Sequence, residues 1–181
     1  MKKYIFMYVN LLSIAGIVVA LDQWTKWLVR AHIPFATQWL PENMQWLMPY
    51  ARLVNWHNTG AAFGMFQNGA AIFTVLAFVV IGAILFYYPQ IHSEGWMFRL
   101  ALGLQLAGAA GNLIDRLTQE GRVTDFISVG AFPVFNVADS AITVGTAVLI
   151  LAVWLNERAQ KRARAESDAQ VDGEQIALSE K

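Results

Sequence analysis

The chain has 181 residues, 56% of them hydrophobic and 14% charged, with a mean hydropathy of +0.41; this places it among integral membrane proteins and allows one domain. Thirteen basic residues balance thirteen acidic ones, so neither net charge nor an aromatic-lined basic groove directs the chain to nucleic acid. The absence of cysteine excludes disulfides, thiolate nucleophiles, iron–sulfur clusters and cysteine-based zinc sites, and the scattered His32, His57 and His92 form no helical ligand pair.

After Met1-Lys2-Lys3, an apolar run from Tyr4 to Leu21 is too long for a cleavable leader and is expected to be retained as a span. Spans are expected at about 4–27, 70–88, 96–114 and 137–156, each close to the ~20 residues that cross a ~30 Å hydrocarbon core as a helix. Four spans place both termini on one side. Lys2 and Lys3, with Arg158, Lys161, Arg162 and Arg164, make that side the cytoplasm by the positive-inside rule. The predicted domain is 1–157, followed by a charged tail, 158–181, expected to be disordered because it has no apolar period. Trp24 and Trp27 mark the outer end of span one, and Tyr87, Tyr88, Trp96 and Trp154 mark inner ends. Gly103, Ala107 and Gly111 form a small-residue stripe on span three that allows close helix approach.

Between spans one and two, the segment from Leu28 to Gly69 has Pro34, Pro41 and Pro49 as breakers and Trp39, Trp46 and Trp56 as apolar bulk, so it is expected to lie on the membrane surface. Strands are expected at Leu53–His57, ending in the turn Asn58-Thr59-Gly60, and at Val123–Val129, and the two can pair as a small sheet.

Asp22, Asp115, Asp125 and Asp139 stand at or near the ends of apolar segments, where a charge costs roughly 2.5–3.5 kcal/mol if it enters hydrocarbon. On the expected topology all four lie at the outer face. Ordinary structural roles compete with functional ones. Asp22 and Lys26 are an i, i+4 pair; Asp115 can pair with Arg116 or another neighbour; Asn136 and Asp139, i and i+3 at a helix start, resemble a capping box; Asn58 suits a turn; His57 suits an interface. Asp125, in the strand-like Val123-Thr124-Asp125-Phe126-Ile127, has no adjacent cation. If it faces Asp139, the two cannot both ionise, and one proton shared between them equips the pair to activate water against an amide.

At these positions the chain resembles the lipoprotein signal peptidases (signal peptidase II), bacterial intramembrane aspartyl proteases. The resemblance is carried in order by Asp22-Gln23-Trp24-Thr25-Lys26, by Asn58-Thr59-Gly60-Ala61-Ala62-Phe63, by Gly108-Ala109-Ala110-Gly111-Asn112-Leu113-Ile114-Asp115-Arg116, by Val123-Thr124-Asp125-Phe126 and by Phe135-Asn136-Val137-Ala138-Asp139-Ser140. It implies an all-α membrane protein of four transmembrane helices, with a small extracytoplasmic β-sheet cradle and an amphipathic surface helix. Asp125 and Asp139 would be the catalytic dyad; Asn58, Asn112, Arg116 and Asn136 would line the substrate site; Asp22, Lys26 and Asp115 would be structural supports. The implied reaction removes the signal peptide of a diacylglyceryl-modified prolipoprotein just before the lipidated cysteine. It would proceed in the bacterial inner membrane, without metal or cofactor, and in a monomer surrounded by membrane lipids. Thr124 and Ala107 depart from the valine and glycine frequent in that family, and the stretch from Asp125 to Asp139 is somewhat short for it.

The rival readings are a transporter or channel, an assembly subunit whose acids meet a partner's cations, and a metal-dependent phosphotransferase. A proton relay would carry acids through the membrane depth, yet the middles of spans two and four are apolar.

Overall fold

The computed structural model describes residues 2–60, 69–91 and 95–179, with side chains described from Tyr8 to Arg164. In chain order it has α1 (Lys2–His32), β1 (Gln38–Trp39), a 3-10 helix (Glu42–Leu47), β2 (Ala51–Asn58), α2 (Ala70–Ile91), α3 (Trp96–Thr118), β3 (Val123–Val129) and α4 (Val137–Ser179). Four stretches are long and apolar enough to cross a membrane: Tyr8–His32, Ala70–Ile91, Trp96–Thr118 and Val137–Arg164. Helices satisfy their own backbone donors, which is what permits them to stand in hydrocarbon.

Of the four, α3 is the central one: 56% of its apolar window is buried, and it packs against α4, α1 and α2. Small residues permit this. A methyl group on Gly111 would lie 2.7 Å from Asp22 Oδ2 and 3.1 Å from Ala138 Cβ, and one on Gly108 would overlap the Ala138 carbonyl and Ile142 Cγ1. The expected stripe is therefore a real seam, although its contacts with α4 run through Gly108 as well. Leu11, Ala15, Ile84, Tyr88, Leu102, Leu106 and Ala107 form the core between α1, α2 and α3.

The sheet has the order β1-β2-β3 and is antiparallel throughout. It lies where α1 and α3 end and α2 and α4 begin, and Phe126 on β3 packs with Val29 of α1 and with Ile33 just past its end. Between Leu53↔Ile127 and Trp56↔Asp125 the register shifts, so that β2 carries one residue more than β3 over that interval. α3 stops in a Schellman-type turn: Gly121 N donates to Arg116 O at 2.9 Å, with Glu120 at φ 56° and Gly121 at φ 83°, the second a conformation suited to glycine.

Most expected elements are present, with revised limits. The strand expected at Val123–Val129 is found there, and the one at Leu53–His57 extends to Ala51–Asn58. β1 was not expected. α1 runs past the expected limit of its span to His32, where Ile33 N still donates to Val29 O at 2.9 Å, and Pro34 stops it. The surface segment carries a 3-10 helix with Met44 and Trp46 exposed. The tail expected to be disordered from 158 instead continues α4 as helix to Ser179, in keeping with its Ala, Arg, Glu, Lys and Gln content. Ala61, Ala62, Phe63 and His92 lie outside the described residues.

Candidate active site

The carboxylates separate into two groups at the sheet end of the bundle. The first joins α1 to α3. Lys26 Nζ lies 2.9 Å from Asp22 Oδ2 and 3.3 Å from Asp115 Oδ2, and all three side chains are fully buried. Arg30 Nη1 is 3.6 Å from Asp115 Oδ1 and donates to Thr124 Oγ1 at 3.0 Å. Asp22 Oδ1 accepts from Ala138 N at 2.9 Å, placing a negative charge at the start of α4, where the helix dipole favours it. Asp115 Oδ2 accepts from Thr124 N at 2.9 Å and so fixes β3 to α3. Gln23 Nε2 closes the network on Asp22 Oδ2, Asp115 Oδ1 and the Gly111 carbonyl.

The second group is Asp125 and Asp139, held by amides. Asn136 Nδ2 donates to Asp125 Oδ1 at 2.7 Å, and Asn58 Nδ2 donates to Asp125 Oδ2 at 3.1 Å. Asp139 Oδ1 accepts from Asn112 Nδ2 at 2.7 Å, and its Oδ2 accepts from Asn136 N at 3.2 Å. Asp139 N donates back to Asn136 Oδ1 at 2.9 Å, which completes a reciprocal capping box. The local role of this pair and its place beside Asp125 therefore coexist. Asn58 is similarly double: its Oδ1 accepts from Gly60 N at 2.9 Å as a turn residue, while its amide nitrogen serves Asp125.

Asp125, Asp139, Asn58, Asn112 and Arg116 all line one cavity of about 710 Å³. Much of the remaining lining is apolar, with Leu76, Val80, Ala109, Ile142 and Val144, beside the polar Gln105 and Thr143. Burial, and next the Asp139 charge, push the Asp125 carboxyl up from 3.8 to about 7, against the opposing hydrogen bonds of Asn58 and Asn136 and the charge of Lys26. Its proton thus titrates near neutrality. His57 goes the other way: burial, then Arg122 and Arg30, lower its pKa, and its ring lies 4.7 Å from that of Phe35.

Every named candidate is within this assembly, with one regrouping. Asp115 does not pair with the adjacent Arg116, because consecutive helical residues point about 100° apart; its cations are Lys26 and Arg30. Arg116 turns to the cavity, its guanidinium 5.4 Å from the Phe73 ring centroid and its Nε buried without a partner. Sequence reasoning missed three members of the support network: Gln23, Arg30 and Thr124. Thr124 is 1% exposed and uses its N–H, carbonyl and hydroxyl on Asp115, Asn136 and Arg30. Gln23 and Thr124 both sit inside matching segments, but residue type alone does not separate a buried strand threonine from a packing residue.

A bundle of four helices long and apolar enough to cross a membrane, with a cavity among them, defines the class as a multi-pass membrane protein. The family model described as signal peptidase (SPase) II matches residues 14–155. A lipoprotein signal peptidase of Shouchella clausii is 41% identical over 152 residues, 83% of this chain and 96% of that one. One from Symbiobacterium thermophilum is 41% identical over 149 residues, covering 80% and 94%. A solved bacterial membrane enzyme, obtained by the in meso method at 2.3 Å resolution, superposes with a TM-score of 0.72 at 27% identity, covering 81% of this chain and 88% of that one. The chain belongs to the signal peptidase II family, a family of peptidases.

Proposed function

We propose that the protein is an aspartyl endopeptidase that removes signal peptides from diacylglyceryl-modified prolipoproteins, cutting just before the lipidated cysteine. The observation that carries this reading is the bridge through Asn136, whose side chain holds Asp125 and whose backbone N–H holds Asp139 on one cavity wall. The largely apolar lining suits a substrate that arrives with hydrocarbon attached, and relatives described as lipoprotein signal peptidases support the substrate class.

In this reading one proton resides on the Asp125–Asp139 pair near neutral pH. The ionised carboxylate removes a proton from a water molecule as its oxygen attacks the scissile carbonyl carbon, and the protonated partner donates to the carbonyl oxygen. Collapse of the tetrahedral intermediate breaks the C–N bond, the proton taken from water passes to the departing nitrogen, and the proton placed on the carbonyl oxygen returns to the aspartate pair as the carboxylic acid forms. Asn58, Asn112 and Asn136 orient the carboxylates. Arg116, with donor capacity to spare at the cavity wall, holds a carbonyl of the extended peptide. Asp22, Lys26 and Asp115 support this frame. Both termini would be cytoplasmic in the bacterial inner membrane, with the site at the outer face, and a single copy contains every group the reaction needs.

The test uses purified full-length protein in lipid vesicles and a quenched fluorescent peptide with an S-diacylglyceryl cysteine at the cleavage point. Asp125→Asn and Asp139→Asn should each lower kcat by at least about a thousandfold while the protein stays folded. Cleavage retained by either folded variant, or equal cleavage of the unlipidated peptide, would refute the corresponding part of the proposal.

A further inference from the structure

The three site asparagines share one device. For Asn58 and Asn136, Oδ1 accepts from a nearby backbone N–H, that of Gly60 and of Asp139, and this turns each Nδ2 toward Asp125. Asn112 cannot be held in this way, because it lies inside α3, where neighbouring N–H groups are committed to helix carbonyls. Its Oδ1 accepts instead from Lys26 Nζ at 3.0 Å and from Asn136 Nδ2 at 3.1 Å, and its Nδ2 donates to Asp139 at 2.7 Å. Lys26 is wholly enclosed, and its three protons are matched by three acceptors: Asp22, Asp115 and Asn112.

We infer that Lys26 is a positioning residue for the reaction, acting through Asn112: with Asn136 Nδ2 its ammonium group supplies the donors that the helix cannot, and so helps to fix the amide nitrogen, not the oxygen, against Asp139. This rests on the reading of Asp125 and Asp139 as the reacting pair. A purely mechanical joint between α1 and α3 would need no charge, since buried ion networks can often be replaced by apolar residues of similar volume without loss of stability. An amide turned the other way would set oxygen against Asp139 Oδ1 and leave the carboxylate only the Asn136 N–H on its Oδ2. Lys26 thereby connects the charged network to the cavity through a single hydrogen bond.

The experiment is a kinetic cycle in an Asp22→Asn background, where removing Lys26 leaves no additional buried charge. With the same lipidated peptide, Lys26→Met should lower kcat about tenfold or more relative to that background, with KM within about threefold. Lys26→Gln, which keeps a donor, should recover part of that loss. On top of Asn112→Ala, the Lys26→Met change should cost less than about twofold, because its route to Asp139 has already been removed. If the methionine variant does not fold, Lys26→Ala takes its place in the cycle with Asn112→Ala. Full additivity in that cycle, a change confined to KM, or an undiminished kcat would overturn the inference. An inactive parent protein, or an active Asp125→Asn, would instead count against the peptidase reading itself.

Discussion

Two pairs of aspartates at one end of the bundle, Asp22 with Asp115 fully buried and Asp125 with Asp139 on the wall of a cavity, are solvated in opposite ways. Asp22 and Asp115 meet Lys26 and Arg30 directly, two negative charges against two positive, and accept backbone N–H donors from Ala138 and Thr124. Asp125 and Asp139 are held by the neutral amides of Asn58, Asn112 and Asn136, and among the described residues neither forms an ion pair with a lysine or arginine. The difference shows how one bundle end can contain both fixed charge and a movable proton. In the first pair cations and backbone donors compensate the carboxylates, while in the second neutral amides hold them in place without an opposing charge in contact.

The contrast breaks most visibly in stability. Asp115→Ala leaves Lys26 and Arg30 under-compensated and removes the acceptor of Thr124 N, so it should destabilise the protein by about 3–5 kcal/mol, read as a fall in melting temperature in detergent. Any surviving folded fraction should still cleave.

Asp125 should behave in the reverse sense. Its pKa rises from 3.8 to about 7 in the folded protein, so between those values the folded state binds more protons than the unfolded one. The Asp125 contribution is therefore fully present below about pH 4 and is lost as the pH rises through about 7. Asp125→Asn should flatten this slope and, at pH 8, stabilise the folded protein by about 1–3 kcal/mol relative to the parent. Parallel melting curves for the two proteins from pH 4 to 8 would contradict that assignment.

A smaller effect sharpens the boundary between the networks. The methyl of Gly111→Ala would press on Asp22 Oδ2 and Ala138 Cβ, with an expected cost of about 1–3 kcal/mol. Gly82→Ala on α2 meets nothing within 4 Å and should change stability by no more than about 1 kcal/mol, in the stabilising direction, because alanine is the better helix former. Thermal melts of the two variants compare a packed seam with an open helix face.

The sequence made the long apolar runs and β3 legible, since both are local patterns of composition and alternation. It also singled out Asp125, because no cation stands beside it in the chain. What it left open depended on three-dimensional neighbours. Asp115 could have paired with Arg116 or elsewhere, and only the packing of α1 on α3 selects Lys26 and Arg30. Asn58 and Asn136 fitted a turn and a cap, and nothing local revealed that such residues use one end of the amide for the backbone and the other for a carboxylate. The helix beyond 157 was read as disordered from its charge, although its residues individually favour helix.

The extra residue in β2 has a chemical consequence. Past the register shift, Trp56 and Asn58 stand on the Asp125 side of the sheet, while His57 falls opposite Thr124. A regular ladder continued from Leu53↔Ile127 would reverse this parity and present an imidazole to the carboxylate where an amide now stands. An imidazole can accept a proton near neutral pH, and an amide cannot. One inserted residue in a short strand therefore puts the neutral amide of Asn58, and not the imidazole of His57, on the carboxylate side of the sheet.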